Sequence, residues 1–166
     1  REMYQELAPE AGEFFDFMLE HELFDLETRL GKQPGGYCAF LKEEKAPFIF
    51  SNFNGTSADV DVLTHEAGHA FEAYTSSRIY PLSAMVWSSS EINEIHSMSM
   101  EFFTYPWMEK FFGDKAERYR MRHLAQALEA VPYMVCVDEL QHRVFEEGLN
   151  AEGRRRVWRE LEQTYM

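Results

Sequence analysis

Thr64-His65-Glu66-Ala67-Gly68-His69-Ala70-Phe71 is the stretch from which the rest of the chain can be read. Around it, Val60, Leu63, Ala67, Ala70, Phe71 and Tyr74 recur at the three- and four-residue spacing of an apolar helix face. That spacing predicts a helix over residues 57 to about 76, with Ser57 or Asp59 capping its start. In such a helix His65 and His69 stand one turn apart on one face, where two imidazoles can grip a single metal ion. Glu66, beside the first, can reach a water on that ion. The pattern H-E-x-x-H thus specifies two zinc ligands and a general base within five residues. The plainer alternative is a helix carrying two half-buried histidines.

A catalytic zinc needs a third protein ligand and an open position. The next strong helix is expected over residues 88 to about 108, bent near its end by Pro106. Glu91, Glu94, Ser97 or Met98, and Glu101 fall along one of its faces. Carboxylates on a buried face are costly unless paired or bound to metal. Glu94 stands 25 residues beyond His69, but periodicity alone does not choose it over Glu91 or His96.

Outward from these two helices the chain reads as mainly α with a small antiparallel β-hairpin or sheet, in one domain over residues 1–166. A helix is expected over residues 9–28, broken by the glycines between Gly31 and Gly36. Residues 37–41 and 48–53 are β-rich runs about the turn at 42–46, which suggests a hairpin. Helices over 114–147, kinked near Pro132, and over 150–166 complete the chain. An extended peptide could add as a strand to an exposed edge of the hairpin beside a metal. Asn52, Asn54 and Gly55 would then line the cleft as substrate-binding residues; equally, Asn54-Gly55-Thr56 simply turns the chain into the motif helix. His21 has no partner at ligand spacing and reads as a surface or packing histidine.

The chain has 166 residues, 45% of them hydrophobic, enough for a core. Its 29 acidic and 16 basic residues give a net charge of −13. That balance argues against nucleic acid and anionic membrane surfaces as partners. No stretch approaches the ~20 apolar residues of a membrane span. Two cysteines, Cys38 and Cys136, make no disulfide framework, so a cytoplasmic setting is expected.

Several ordered blocks carry a family resemblance: Gly35-Gly36-Tyr37-Cys38, the run from Pro47 to Thr56, Leu63 to Phe71, Glu94-Ile95-His96-Ser97-Met98-Ser99-Met100-Glu101-Phe102, and Pro132-Tyr133 with Val137-Asp138-Glu139-Leu140-Gln141-His142. Together they resemble the oligoendopeptidase F family, bacterial relatives of thimet oligopeptidase. The resemblance implies a gluzincin-type zinc-peptidase core that binds one Zn²⁺ through His65, His69 and Glu94, with Glu66 as general base. It implies short peptide substrates cut at internal bonds. Members are several times longer, with a second lobe and a downstream His- and Tyr-rich segment that binds substrate. The chain therefore reads as a catalytic-core fragment or truncated homologue, and the alternative expectation is a zinc- and peptide-binding module without turnover. Acceptors should hold the outer N–H groups of the histidines; Glu101 and Asp138 are the candidates.

Overall fold

The helix that opens at Pro9 stops at Glu20, well short of residue 28. Its end is a Schellman turn: Glu22 N–H donates to Leu19 O at 3.2 Å and Leu23 N–H to Met18 O at 3.0 Å. Glu22 sits at φ 51°, a position usually given to glycine. The turn releases Phe24–Glu27 as a strand, where an uninterrupted helix had been expected. The computed structural model describes residues 1–166, which form two compact units, Arg1–Phe111 and Phe112–Met166.

In the first unit, α1 (Glu2–Leu7) and α2 (Pro9–Glu20) precede β1 (Phe24–Glu27), β2 (Tyr37–Leu41) and β3 (Ala46–Phe53). β2 and β3 form the expected antiparallel pair, in register from Tyr37 opposite Phe50 to Leu41 opposite Ala46. β1 adds on the other side of β3, parallel to it. β3 is therefore the central strand, and Ile49 on it is fully buried. The loop between β1 and β2 is pinned by Lys32, whose side chain is 2% exposed. Its ammonium donates to the carbonyls of Asp25, Glu27 and Ser51 and to the Asp25 carboxylate, so the buried charge is fully paired.

α3 (Ala58–Ile79) is the hub of this unit. Ala67, Gly68, Ala70, Ala73 and Ser77 are all buried on it, and their small size lets neighbours approach on several sides. Phe14 of α2 packs against Phe71 and Tyr74, with ring centroids 5.4 and 5.5 Å apart. Burying such a side chain contributes about 1.5–3 kcal/mol. Ser57 makes no side-chain cap, and Asp59 instead accepts from the amides of Asn54 and Gly55, ordering the turn into the helix. α4 (Ser90–Phe103) lies against α3 and ends before the expected boundary. There Pro106 takes the chain into a 3₁₀ turn, Tyr105–Trp107.

A single turn, α5 (Glu109–Phe112), lies at the boundary between the units. The second unit holds α6 (Ala116–Glu146), which runs on past Pro132, and α7 (Ala151–Tyr165), capped by Asn150 accepting from Gly153 N–H at 2.9 Å. Cys136, Val157 and Leu161 form the core between these two helices. The fold class is mainly α with one small sheet, and no helix is long and apolar enough to cross a membrane.

Candidate active site

α3 and α4 cross at Gly68. A methyl group built there would stand 2.6 Å from Ser97 Cα and 2.8 Å from His96 O, so only glycine permits the crossing. The close approach sets Glu94 of α4 opposite the two histidines of α3. Glu94 Oε2 lies 3.3 Å from His65 Nε2 and 3.7 Å from His69 Nε2, and one donor atom from each side chain falls within 4.8 Å of the others. Tetrahedral donors about 2.0–2.1 Å from an ion stand about 3.3–3.4 Å apart. The three donors therefore fit a divalent cation, and the His₂-carboxylate set is the one zinc hydrolases use.

The remaining contacts orient this cluster. His65 Nδ1 is 2.6 Å from Glu101 Oε1, which leaves Nε2 facing Glu94. Glu72, one turn beyond His69, has a side chain only 4% exposed. It accepts at Oε1 from the backbone N–H and hydroxyl of Ser88, tethering the approach to α4. Glu66 is buried beside the cluster, where the backbone amide of Cys38 on β2 favours its charged form.

Burial pushes the Glu66 carboxyl above its ordinary range, and Glu94 adds to the rise against the opposing pull of His65 and the Cys38 amide. For His65, burial works against the charged ring, but the hydrogen bond and charge of Glu101, with Glu66 and Glu94, outweigh it and leave the group raised. His69 is lowered, by burial first and then by its neighbour His65. The cluster thus places a neutral-leaning imidazole, a charge-supported imidazole and a carboxyl of raised affinity for protons within one small volume.

The other candidates have identifiable places. Glu91 is exposed at the start of α4, where its own backbone amide and Ser89 hold its carboxyl below the usual range. His96 Nδ1 is 3.7 Å from Glu72 Oε2. The Asn52 amide donates to the carbonyls of Gln33 and Gly35. Asn54 Oδ1 accepts from Thr56 N–H, and Gly55, at φ 83°, donates to Asp59. These three residues spend those groups on the loop and turn around β3. Asp138 is on α6 of the second unit, 3.9 Å from His142 of the same helix. His21 packs edge-on against Phe17. Sequence reasoning missed the Cys38 amide at Glu66, because a backbone donor leaves no signal in residue type.

The family model for Peptidase family M3 matches residues 12–166. The chain belongs to peptidase family M3. Among solved structures, this M3 chain is similar to PZ peptidase A with inhibitor 2, at 54% identity and TM-score 0.93, covering 99% of this chain and 29% of that one. It is similar to a provisionally named oligoendopeptidase F at 56% identity and TM-score 0.92, covering 99% of this chain and 29% of that one. A third likeness, to a provisionally named oligoendopeptidase F from Bacillus anthracis strain Ames, has 52% identity and TM-score 0.89, covering 98% of this chain and 30% of that one. The M3 chain thus spans about three-tenths of the length of these proteins. A search of curated protein sequences finds no match.

Proposed function

We propose that this chain is the zinc-binding catalytic core of an endopeptidase that cuts internal bonds of short oligopeptides. The observation that carries the reading is the His65–His69–Glu94 donor cluster with Glu66 alongside, in a chain of the M3 family. His65, His69 and Glu94 would hold the ion, and three side chains leave a fourth position open. When bound, zinc supplies Lewis acidity toward a carbonyl oxygen and toward water. Glu66 takes the proton of the attacking water and returns it to the departing amine. Glu101 fixes the His65 ring through Nδ1, so that Nε2 keeps its direction. Ile49 N–H donates to Leu23 O on the far side from β2, so Cys38, paired with Ile49, turns its amide to the free edge of β2, where it favours the charged form of Glu66. An extended peptide could hydrogen-bond along that edge with a carbonyl beside Glu66. The two unpaired cysteines favour a reducing, cytoplasmic setting.

The test pairs elemental zinc analysis with cleavage of an internally quenched peptide, with and without chelator. One zinc per chain and chelator-sensitive cleavage are expected. Glu66→Gln should keep zinc and lose hydrolysis, and Glu94→Ala should lose most of the zinc affinity. Cleavage by Glu66→Gln at the normal rate would remove Glu66 as base. Zinc bound without cleavage would leave a binding module in place of an enzyme.

A further inference from the structure

We propose that Ser97 is a positioning residue that orients the Glu94 carboxylate toward the two histidines; the proposal rests on the metal-site reading above. Glu94 reaches the cluster from a side chain that is 54% exposed. Packing therefore does little to hold it, and a glutamate carries substantial rotamer freedom that ligation must remove. Ser97, three residues on, is fully buried at the crossing with Gly68. Its hydroxyl lies 2.9 Å from Glu94 Oε2, the same oxygen that stands 3.3 and 3.7 Å from the two histidine Nε2 atoms.

The plainer account is that Ser97 merely back-bonds to the carbonyl three residues earlier, as helical serines do. That carbonyl, Glu94 O, is within reach at 3.1 Å. A hydroxyl has one proton to give, however. The carboxylate oxygen is nearer, and an ionised acceptor makes the stronger hydrogen bond. The proton therefore goes to Oε2. The bond thus falls on the same oxygen that stands nearest His65 and His69. Ser97 acts through Glu94 and touches neither ion nor substrate.

The α3 backbone at Gly68 approaches the backbone of Ser97 so closely that no Cβ at Gly68 fits between them, which keeps Ser97 wholly buried beside the histidine-bearing helix.

The experiment measures the zinc dissociation constant of the purified protein by chelator competition, together with the thermal midpoint of the metal-free form. S97A should weaken zinc binding about 10–100-fold, the usual effect of removing a group that orients a ligand, with little change in the metal-free midpoint. In an E94A background, S97A should change zinc affinity less than about threefold, because the residue it orients is gone. Equal loss in both backgrounds would show a general structural effect and overturn the proposal. So would zinc affinity in S97A equal to that of the unmodified protein. S97C, which keeps the size of the side chain and has only a weak thiol donor, supplies the same comparison if S97A does not fold. An unmodified protein that binds no zinc would refute the metal-site reading itself, and Ser97's role with it.

Discussion

Gly68→Ala tests the helix crossing on which the site depends. The added Cβ would lie 2.6 Å from Ser97 Cα, 2.8 Å from His96 O and 3.0 Å from Ser97 N. Ordinary carbon–carbon contacts begin at about 3.5 Å, so α3 and α4 must separate by roughly 1 Å. All three obstructing atoms are backbone, so no side-chain rotation relieves the clash. Overpacking of this kind costs about 1–3 kcal/mol. Against that, alanine in a helix interior is favoured over glycine by about 1 kcal/mol. The net destabilisation is then between about 0 and 2 kcal/mol, a fall in Tm of no more than roughly 8 °C for a chain of this size. The site should suffer more than the fold. A 1 Å separation stretches the 3.3 and 3.7 Å gaps between Glu94 and the histidines, and the donors no longer match one ion's spacing of about 3.3–3.4 Å. Zinc affinity should fall by at least about tenfold, the loss expected when ligand geometry is disturbed. Thermal unfolding of the metal-free protein and chelator competition measure the two quantities separately. If zinc affinity and Tm both stay at the unmodified values, the crossing does not set the site's geometry.

Two further predictions concern the sheet. Arg29, and then Lys32, hydrogen-bond the Asp25 carboxylate and hold it well below the usual carboxylate range. A depressed folded pKa contributes stability above the unfolded value of about 3.9 and loses it as pH falls toward the folded one. Asp25→Asn should therefore lower Tm at pH 7 and converge with the unmodified protein in acid; a gap that persists at every pH would exclude the carboxylate's charge as the cause. Burial, with the charge of Glu66 second, pushes the Cys38 thiol up to about 12, so it should react with Ellman's reagent far more slowly than an ordinary thiol at pH 8. Labelling at the free-thiol rate would contradict its placement on β2 against Glu66.

The sequence carried the hairpin and the motif helix well and the end of α2 badly, for a physical reason. β2 and β3 are short aromatic-rich runs, with Tyr37 and Phe40 on one and Phe48, Phe50 and Phe53 on the other, about a polar turn, a local pattern that survives folding. At the end of α2 the apolar spacing continues through Phe24, and no glycine or proline stands at the turn. The left-handed position is taken by Glu22, a residue type that carries no such signal. β1 was invisible for the same cause, since its pairing with β3 is a tertiary contact. Asp59 shows a smaller version of this effect. It sits where a cap belongs, yet its carboxylate serves the amides of Asn54 and Gly55 in the preceding turn.

The site divides along the same line, and the division points to a rule. His65 and His69 were legible because one helix fixes their spacing. Glu94 was not separable from Glu91 by periodicity, because its distance from the histidines depends on where two helices cross. The crossing is marked in sequence by small residues: Gly68 inside the motif and Ser97 on α4, the pair whose backbones nearly touch. Side chains can meet across a crossing only within about one turn of it. On α3 that interval takes in His65 and His69, and on α4 it takes in Glu94 and Glu101. Both carboxylates engage the histidines, Glu94 at Nε2 of each and Glu101 at Nδ1 of His65. Glu91 lies beyond the interval, and its carboxyl turns back to the helix start. The glycine inside H-E-x-x-H and the next buried serine flanked by glutamates three before and four after would together have selected the third ligand and its supporting carboxylate, where the spacing of carboxylates alone could not.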